Sequence, residues 1–360
     1  MRIAVVGGIF GKPAAYRRIH QSTPETILAE RLGARGHAVR VFGHLERLSG
    51  TEFDIVHVHH LSYGAVFAAT DPSSARLVFT PHRSTLPGGA RAHALRLAVD
   101  RSDAVVALSR TEAEWHLDSL GVPEDRSRVI PNGADPFAFP FAERRAPTVG
   151  PWRLLFVGQL QPLKGVDVLL RAVALLADEE DVVLDLVYHV DAAEPELLRR
   201  RAKLGLESRV RFLGPRSQKS LAREYQRASM LVLPSLEEQL PSVVTEAMLS
   251  GCPVVASDVG SVREQLNRTG VVVPRGDPGA LAAGIRAVLR EYERYCDGAA
   301  RARESALRRF SVGAMVDAHE RLYQELLQSD VPVRRHIGGP SFRAQLWKGA
   351  TAAWITLKCS

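Results

Sequence analysis

Two carboxylates separated by seven residues, Glu238 and Glu246, stand in the run Pro234-Ser-Leu-Glu-Glu-Gln-Leu-Pro-Ser-Val-Val-Thr-Glu-Ala-Met-Leu-Ser-Gly-Cys-Pro-Val-Val-Ala256. Met230 to Pro234 reads as a buried strand, Ser242 as an N-cap, Gly251 as the helix stop, and Pro253 to Ala256 as the next strand. A turn feeding a helix start offers backbone N–H groups and the positive end of the helix dipole to an anion, and phosphate suits such a site. Glu246 lies inside that helix, where a carboxylate could accept hydrogen bonds from sugar hydroxyls. Taken alone, the spacing also fits two solvated glutamates at a helix start. The rest of the chain decides between them.

The elements that would position such a site follow from periodicity. Residues 2–7 read as an apolar strand ending in Gly7-Gly8. A helix follows from Thr23-Pro24-Glu25 to Arg35, stopped by Gly36, and Ala38 to Phe42 is the next strand. Strand, glycine loop, helix and strand make a βαβ unit, and its right-handed crossover implies a parallel sheet. Further strands are read at Asp54 to His59, Arg76 to Phe79, Ala104 to Leu108 and Arg128 to Ile130, with helices near 62–70, 88–101 and 110–120. Ligands gather at the carboxyl ends of strands in a doubly wound sheet. Those ends carry Gly7-Gly8, the trio His57, His59 and His60, Thr80-Pro81-His82, and Ser109. His57 and His59 stand at i, i+2 with no carboxylate of ligand spacing, so no metal site is expected. The loop Gly7-Gly-Ile-Phe-Gly-Lys-Pro13 has neither P-loop nor GxGxxG spacing.

Residues 136–151 have the proline, alanine and charge of a linker. The pattern then restarts with a strand at Arg153 to Val157, a loop from Gly158 to Lys164 and a helix from Val166 to Ala177. A strand at Val182 to Tyr188, a helix from Glu194 to Lys203, a strand at Val210 to Leu213 and a helix at 217–228 lead into the opening stretch. A strand at 271–273 and helices at 277–295, 297–308 and 312–328 follow.

A length of 360 residues with 46% hydrophobic content implies two cores. The net charge of +7 is uneven, because residues 329–360 hold five Lys or Arg and one Asp. The remaining body is only mildly basic, which argues against a nucleic-acid partner. No stretch approaches the roughly 18 apolar residues of a membrane-spanning helix, and no signal peptide is expected. Cys252, Cys296 and Cys359 lack metal or redox spacing and cannot all pair, so a reducing cytoplasm is the expected location.

The strings Gly36-His-Ala-Val39, Asp54-Ile-Val-His-Val-His-His60, Thr80-Pro-His82, Ser109, Ile130-Pro-Asn-Gly-Ala-Asp135, Phe156-Val-Gly-Gln-Leu-Gln-Pro-Leu-Lys-Gly165 and Val210-Arg-Phe-Leu-Gly214 precede the Glu238–Glu246 stretch in order. Together they resemble a retaining glycosyltransferase of the GT-B superfamily, close to family 4, over residues 1–328. The resemblance implies an α/β chain of two doubly wound Rossmann-like domains facing a central cleft. Residues 1–147 would form the acceptor-side domain and 148–311 the nucleotide-sugar-binding domain. Residues 312–328 would be a helix returning to the first domain; residues 329–360, beyond the resemblance, read from their own pattern as a basic amphipathic tail.

The resemblance also implies roles. Lys164 would neutralise the donor diphosphate as the glycosidic bond breaks. Glu238 would lie near the transferred sugar, facing Lys164 across the diphosphate, and His82 would touch that sugar; these three are the expected catalytic residues. Glu246 would hold the ribose hydroxyls, while the backbone of Pro241, Ser242 and Val243 would cradle phosphate. Gly8, Gln159 and Leu213 complete the expected donor contacts. No metal or other cofactor is implied, since Lys164 and the helix start carry the charge. The partners would be a nucleotide-sugar donor and a hydroxyl acceptor, lipid-linked or soluble.

Three departures from the family pattern stand out. Gln159 replaces the usual arginine, and losing one charge-assisted contact costs roughly 1.5–3 kcal/mol unless another cation substitutes; Arg216 and Arg263 are the candidates. Tyr188-His-Val-Asp191 replaces a glycine-rich turn, and Gln239 and Pro241 stand where glycines are frequent. In the tail, Phe342, Leu346, Trp347, Ala350, Trp354 and Leu357 recur at helical spacing within 341–358, flanked by Arg343 and Lys348. That stripe suits the anionic inner face of a membrane, and equally suits packing on the body or on a second subunit. Transfer to a cell-envelope or polysaccharide intermediate is the leading reading of function. The alternatives are glycosyl transfer in small-molecule metabolism, a nucleotide-sugar 2-epimerase and a non-catalytic nucleotide-sugar-binding relative.

Overall fold

Among the described residues, short runs of Val, Ile and Leu, bounded by glycine, proline or polar residues, form six strands in each of two sheets. The computed structural model describes residues 1–13, 23–43, 53–60, 75–82, 85–189 and 193–329. The helix expected near 62–70 and the stripe at 341–358 lie outside them. The described chain forms two compact units, one holding Met1–Pro131 with the chain from Met315 onward, the other Asn132–Ala314. Residues 132–147, expected from the resemblance as the end of the first domain, therefore group with the second.

In the first unit the order is β1 (Arg2–Val6), α1 (Pro24–Ala34), β2 (Ala38–Phe42), β3 (Ile55–His59) and β4 (Arg76–Thr80), then α2 (Ala90–Arg101), β5 (Ala104–Ala107), α3 (Arg110–Leu120) and β6 (Ser127–Val129). Every pairing is parallel, in the order β2-β1-β3-β4-β5-β6. The connection reverses direction between β1 and β3, so that is where a doubly wound sheet opens its crevice. Val58, Phe79, Leu95, Val99 and Val105 form the core below it.

The second unit runs β7 (Trp152–Val157), α4 (Val166–Leu176), β8 (Val182–Val187), α5 (Glu194–Lys203), β9 (Val210–Gly214), α6 (Gln218–Arg227), β10 (Met230–Leu233) and α7 (Ser242–Leu249). It continues through β11 (Val254–Ser257), α8 (Val262–Leu266), β12 (Val271–Val273), α9 (Pro278–Arg290) and α10 (Tyr292–Arg309). The order β12-β11-β10-β7-β8-β9 reverses between β7 and β10. Successive residues of a strand face opposite sides, and both sides of this sheet are covered. Leu154 joins Phe156, Leu170 and Ile285 on one face, while Leu155 joins Leu231, Val244 and Met248 on the other.

Helix ends follow local chemistry. Asp277 caps α9 by accepting from Ala280 N–H at 2.9 Å, and the backbone breaks at Glu291, so the expected helices at 277–295 and 297–308 are redivided at that residue. The helix α11 (Val312–Gln328) ends the described fold. Its Asp317 and Glu320 pair with Arg35 at 2.6 and 2.7 Å, and Glu320 also meets His37 at 2.7 Å. No helix among the described residues is long and apolar enough to cross a membrane.

The supposed linker is fastened down. Arg144 donates to the carbonyls of Tyr225, Ala228, Ser250 and Gly251, and to that of Ala142. The first four lie at the carboxyl ends of α6 and α7, where helix carbonyls lack intrahelical partners and a cation is favoured.

Candidate functional site

The carboxyl ends of β7 and β10 flank the reversal in the second sheet, and each leads into a loop. After β7 the chain passes Gly158 and Gln159 and makes a single tight turn, Pro162–Lys164, before α4. After β10, residues 234–241 lead into α7. The two loops are joined by Leu236 N–H donating to the Leu163 carbonyl at 2.8 Å. Gly165 makes this approach possible: at φ +67°, a Cβ there would stand 2.0 Å from the Pro234 carbonyl oxygen. Gly260 does the same from the other side, where a Cβ would stand 2.2 Å from the Glu238 carbonyl oxygen. Ser261 N–H adds a bond to the Gln239 carbonyl at 2.9 Å. The loop is therefore held between two glycines that sequence reading gave no such part.

This clasp sets Lys164 Nζ 2.7 Å from Glu238 Oε1, with side chains 26% and 12% exposed. Ser235 Oγ donates to the same oxygen at 2.8 Å, which leaves Oε2 as the second acceptor. The two groups were expected to face each other across a diphosphate, but opposite charges this close form a direct ion pair. An ammonium has three donors, so two remain beyond the bond to Glu238.

Ser242 is not the N-cap. Pro241 holds that position at φ −67°, ψ 117°, and Ser242 is the first helical residue. The expected phosphate cradle changes accordingly. Pro241 has no N–H, and its carbonyl already accepts from Val244 N–H at 3.1 Å and Gln265 Nε2 at 3.2 Å. The backbone donors at this helix start belong to Ser242 and Val243.

Glu246 lies one turn further on, half-buried. Tyr225 on α6, fully buried and edge-on to Phe139, donates its hydroxyl to Glu246 Oε2 at 2.8 Å. Burial pushes the Glu246 carboxyl up to about 7, and the Tyr225 hydroxyl holds it from rising further. Tyr225 and Ser235 are the polar partners that sequence reading missed. Gln159 and Leu213 are half-buried at the ends of β7 and β9, and neither bonds to the Lys164–Glu238 pair. The proposed substitute cations are engaged elsewhere. Arg263 pairs with Asp258 at 2.5 Å, and Arg216 donates to the Leu213 carbonyl at 2.6 Å. Of the altered segment after β8, Tyr188 packs inward, buried edge-on to Phe212 with its hydroxyl on Glu194 at 2.6 Å.

In the first unit the expected residues are Gly8 and His82. Gly8 is exposed, and the space around it would admit a Cβ. His82 belongs to an array at the carboxyl ends of β3 and β4. Its Nε2 lies 3.1 Å from His59 Nδ1, and its ring stacks on His60 at 4.2 Å. Behind them His57 is bonded to Tyr323 Oη at 2.7 Å and Thr80 Oγ1 at 2.8 Å, with the His319 ring 5.2 Å away. Burial, then repulsion from the neighbouring rings, pushes His57, His59 and His82 well below the usual histidine value. Burial likewise takes His319 down to about 4. His60 and His82 adopt φ of 62° and 52°. Left-handed backbone at non-glycine residues costs on the order of 1–3 kcal/mol each and gathers at functional sites. Among the described residues no group of three His, Cys, Asp or Glu is placed to hold a metal ion.

Two doubly wound parallel sheets, each with polar groups at its strand-reversal point, define an α/β protein of the GT-B fold. Solved structures share that fold. Sucrose-phosphate synthase from Thermosynechococcus elongatus aligns with a TM-score of 0.75 at 20% identity, over 91% of this chain and 99% of its own. Anabaena HepE in complex with UDP aligns with a TM-score of 0.73 at 20% identity, over 90% and 100%. The family model for glycosyl transferases group 1 matches residues 151–291, and that for glycosyltransferase family 4 matches residues 44–136. D-inositol 3-phosphate glycosyltransferase of Geodermatophilus obscurus is 35% identical over 279 residues, 69% of this chain and 62% of the relative. A second such protein, from Catenulispora acidiphila, is 35% identical over 248 residues, 63% of this chain and 58% of the relative. The match thus spans about three-fifths of the length of these curated relatives. The chain belongs to the family 4-like glycosyltransferases of the GT-B superfamily.

Proposed function

We propose that the chain is a retaining hexosyltransferase that moves a sugar from a nucleotide-sugar donor to an acceptor hydroxyl. The observation that carries this reading is the group at the β7/β10 reversal: the Lys164–Glu238 ion pair, the open N–H groups of Ser242 and Val243, and the Glu246–Tyr225 pair. Ion pairing with Glu238 holds the Lys164 ammonium in place, and its two remaining donors meet the diphosphate as charge builds on the leaving group. The start of α7 meets the same charge with backbone donors. On this reading the phosphate charge is met without a divalent ion, and turnover should survive a chelator. Glu246 takes the ribose diol. His82 contacts the transferred sugar. With Lys164 occupying one oxygen of Glu238, same-face attack assisted by the departing phosphate accounts for retention better than a covalent glycosyl–Glu238 intermediate.

HepE has been solved in complex with UDP-glucose, which makes UDP-sugars the first donors to try. A thermal-shift screen of UDP-, GDP-, ADP- and dTDP-sugars tests the reading. A ligand at about 100 times its Kd adds roughly 2.7 kcal/mol to stability, so one nucleotide should stand out. Glu246→Ala should abolish that shift, and a shift that survives it removes Glu246 from the ribose. For the acceptor, relatives named for D-inositol 3-phosphate favour a small soluble polyol phosphate over a lipid-linked envelope intermediate. Release of nucleoside diphosphate with inositol phosphate but not with a polyprenyl-linked sugar would decide for the former. A tail contact with anionic membrane is tested by co-sedimentation with anionic liposomes, full chain against a chain ending at residue 328; equal partitioning ends that idea.

A further inference from the structure

We propose that His59 is a positioning residue that fixes the tautomer of His82: His59 donates from Nδ1 to His82 Nε2, and His82 therefore carries its own proton on Nδ1. The two nitrogens lie 3.1 Å apart, so one donates and the other accepts. Which one donates is decided by the far side of the His59 ring. His59 is 2% exposed, and its Nε2 is buried without a hydrogen-bond partner among the described residues. A buried N–H with no acceptor is rarer in folded proteins than a buried acceptor with no donor. The His59 proton therefore belongs on Nδ1, where an acceptor waits.

The same cluster holds a precedent. His319 Nδ1 lies 2.8 Å from the Met315 carbonyl, which can only accept, so its proton must be on Nδ1. Its Nε2 is again buried, with no hydrogen-bond partner among the described residues. An unpaired Nε2 lone pair is thus already tolerated in this array. His57 does not discriminate, because both of its partners are hydroxyls that donate or accept at will. His82 is neutral among these buried rings, and a neutral imidazole accepting at Nε2 must be protonated at Nδ1. Its backbone at φ 52° and its stacking on His60 at 4.2 Å fix where that edge points. The Nδ1 edge of His82 is then a hydrogen-bond donor, suited to a sugar oxygen, and has no lone pair with which to act as a base.

The tautomer stands on burial and geometry alone, whereas its effect on turnover rests on the reading of His82 as a sugar contact. The experiment separates the two. Full-length protein labelled with 15N-histidine is examined by two-bond 1H–15N correlation at about pH 7.5, above the ordinary histidine value. His82 and His59, assigned by loss of their signals in His82→Gln and His59→Asn, should both show a protonated Nδ1 and a bare Nε2. In His59→Leu the His82 shifts should move toward the average of the two tautomers. In His59→Asn, whose amide nitrogen can stand where Nδ1 stood, His82 should keep its pattern. UDP release from UDP-glucose should fall about tenfold or more in His59→Leu at unchanged KM and stay near wild type in His59→Asn. A wild-type His82 protonated on Nε2, or averaging between tautomers, overturns the proposal. If His82 shows the expected tautomer but His82→Gln turns over normally, the sugar-contact reading fails and the tautomer assignment stands.

Discussion

Titration of Glu246 offers a quantitative check on the ribose assignment. Burial raises its carboxyl from 4.5 to about 7, so near neutral pH roughly half of the free molecules carry an uncharged side chain there. A ribose diol that donates two hydrogen bonds needs the carboxylate, so binding selects the ionised form and pulls its pKa back down. Between about pH 8 and about pH 6 the ionised fraction falls about tenfold, and Kd for a nucleotide sugar should rise by that factor, about 1.4 kcal/mol. The diphosphate of a nucleotide sugar has no proton to lose in this window, and His57, His59, His82 and His319 all titrate below their usual value. Calorimetry with UDP-glucose in two buffers of different ionisation heat counts the protons released, expected to be close to one at about pH 6 and near zero at about pH 8. Tyr225→Phe removes the hydroxyl that lowers this carboxyl, so the midpoint should move up and binding at neutral pH should weaken further. A Kd that stays flat across the window, with no proton release, would refute the reasoning.

Other outcomes follow from the same geometry. In the folded chain Glu246 ionises later than in the unfolded chain, so its burial costs stability as pH rises from 4.5 toward about 7 and costs most above that. Glu246→Gln should therefore be more stable than wild type at about pH 8, by about 1–3 kcal/mol, and equal to it at about pH 4, while losing nucleotide binding; denaturant melts at both pH values check the sign. Lys164→Met should lower kcat by about 10²–10³ with little change in Tm, measured by nucleoside-diphosphate release and thermal melting. Gly165→Ala should lose about 2 kcal/mol or more and fail to bind nucleotide, because its Cβ meets the Pro234 carbonyl. Gly205→Ala, at φ +66° with open space around it, is the control and should lose only the left-handed penalty of about 1–2 kcal/mol.

Local patterns carried the architecture. Apolar runs ending at glycine or proline placed β1, β7 and β10, and glycine stops placed the ends of α1 and α7. The string from Phe156 to Gly165 and the Glu238–Glu246 spacing brought Lys164 and Glu238 to attention before any distance was known. What stayed hidden was what depends on contact between distant segments. Tyr225 reaches Glu246 from another helix, and nothing in its own neighbourhood marks it apart from an ordinary core aromatic. Gly165 and Gly260 look like loop punctuation until the backbone they admit is seen. Ser242 was misplaced by one residue because cap preference favours serine, whereas Pro241 has its φ fixed by its ring and takes the non-helical position. The array from His57 to His82 was legible as residues, but its connection to His319 and Tyr323 depends on a helix more than two hundred residues away in sequence.

Arg144 has a consequence for how the second unit could be handled by itself. Its guanidinium gathers the carboxyl ends of α6 and α7, the two helices that carry Tyr225 and Glu246. A fragment cut at residue 148, where the expected second domain begins, discards that clamp and leaves those helix ends to fray; one cut at Asn132 keeps it. Lysine could not replace it, because a compact ammonium does not span so many carbonyls. The tether thus acts on acidity at a distance, since loosening it would let the phenol drift from the carboxyl and change the pH at which that carboxyl ionises.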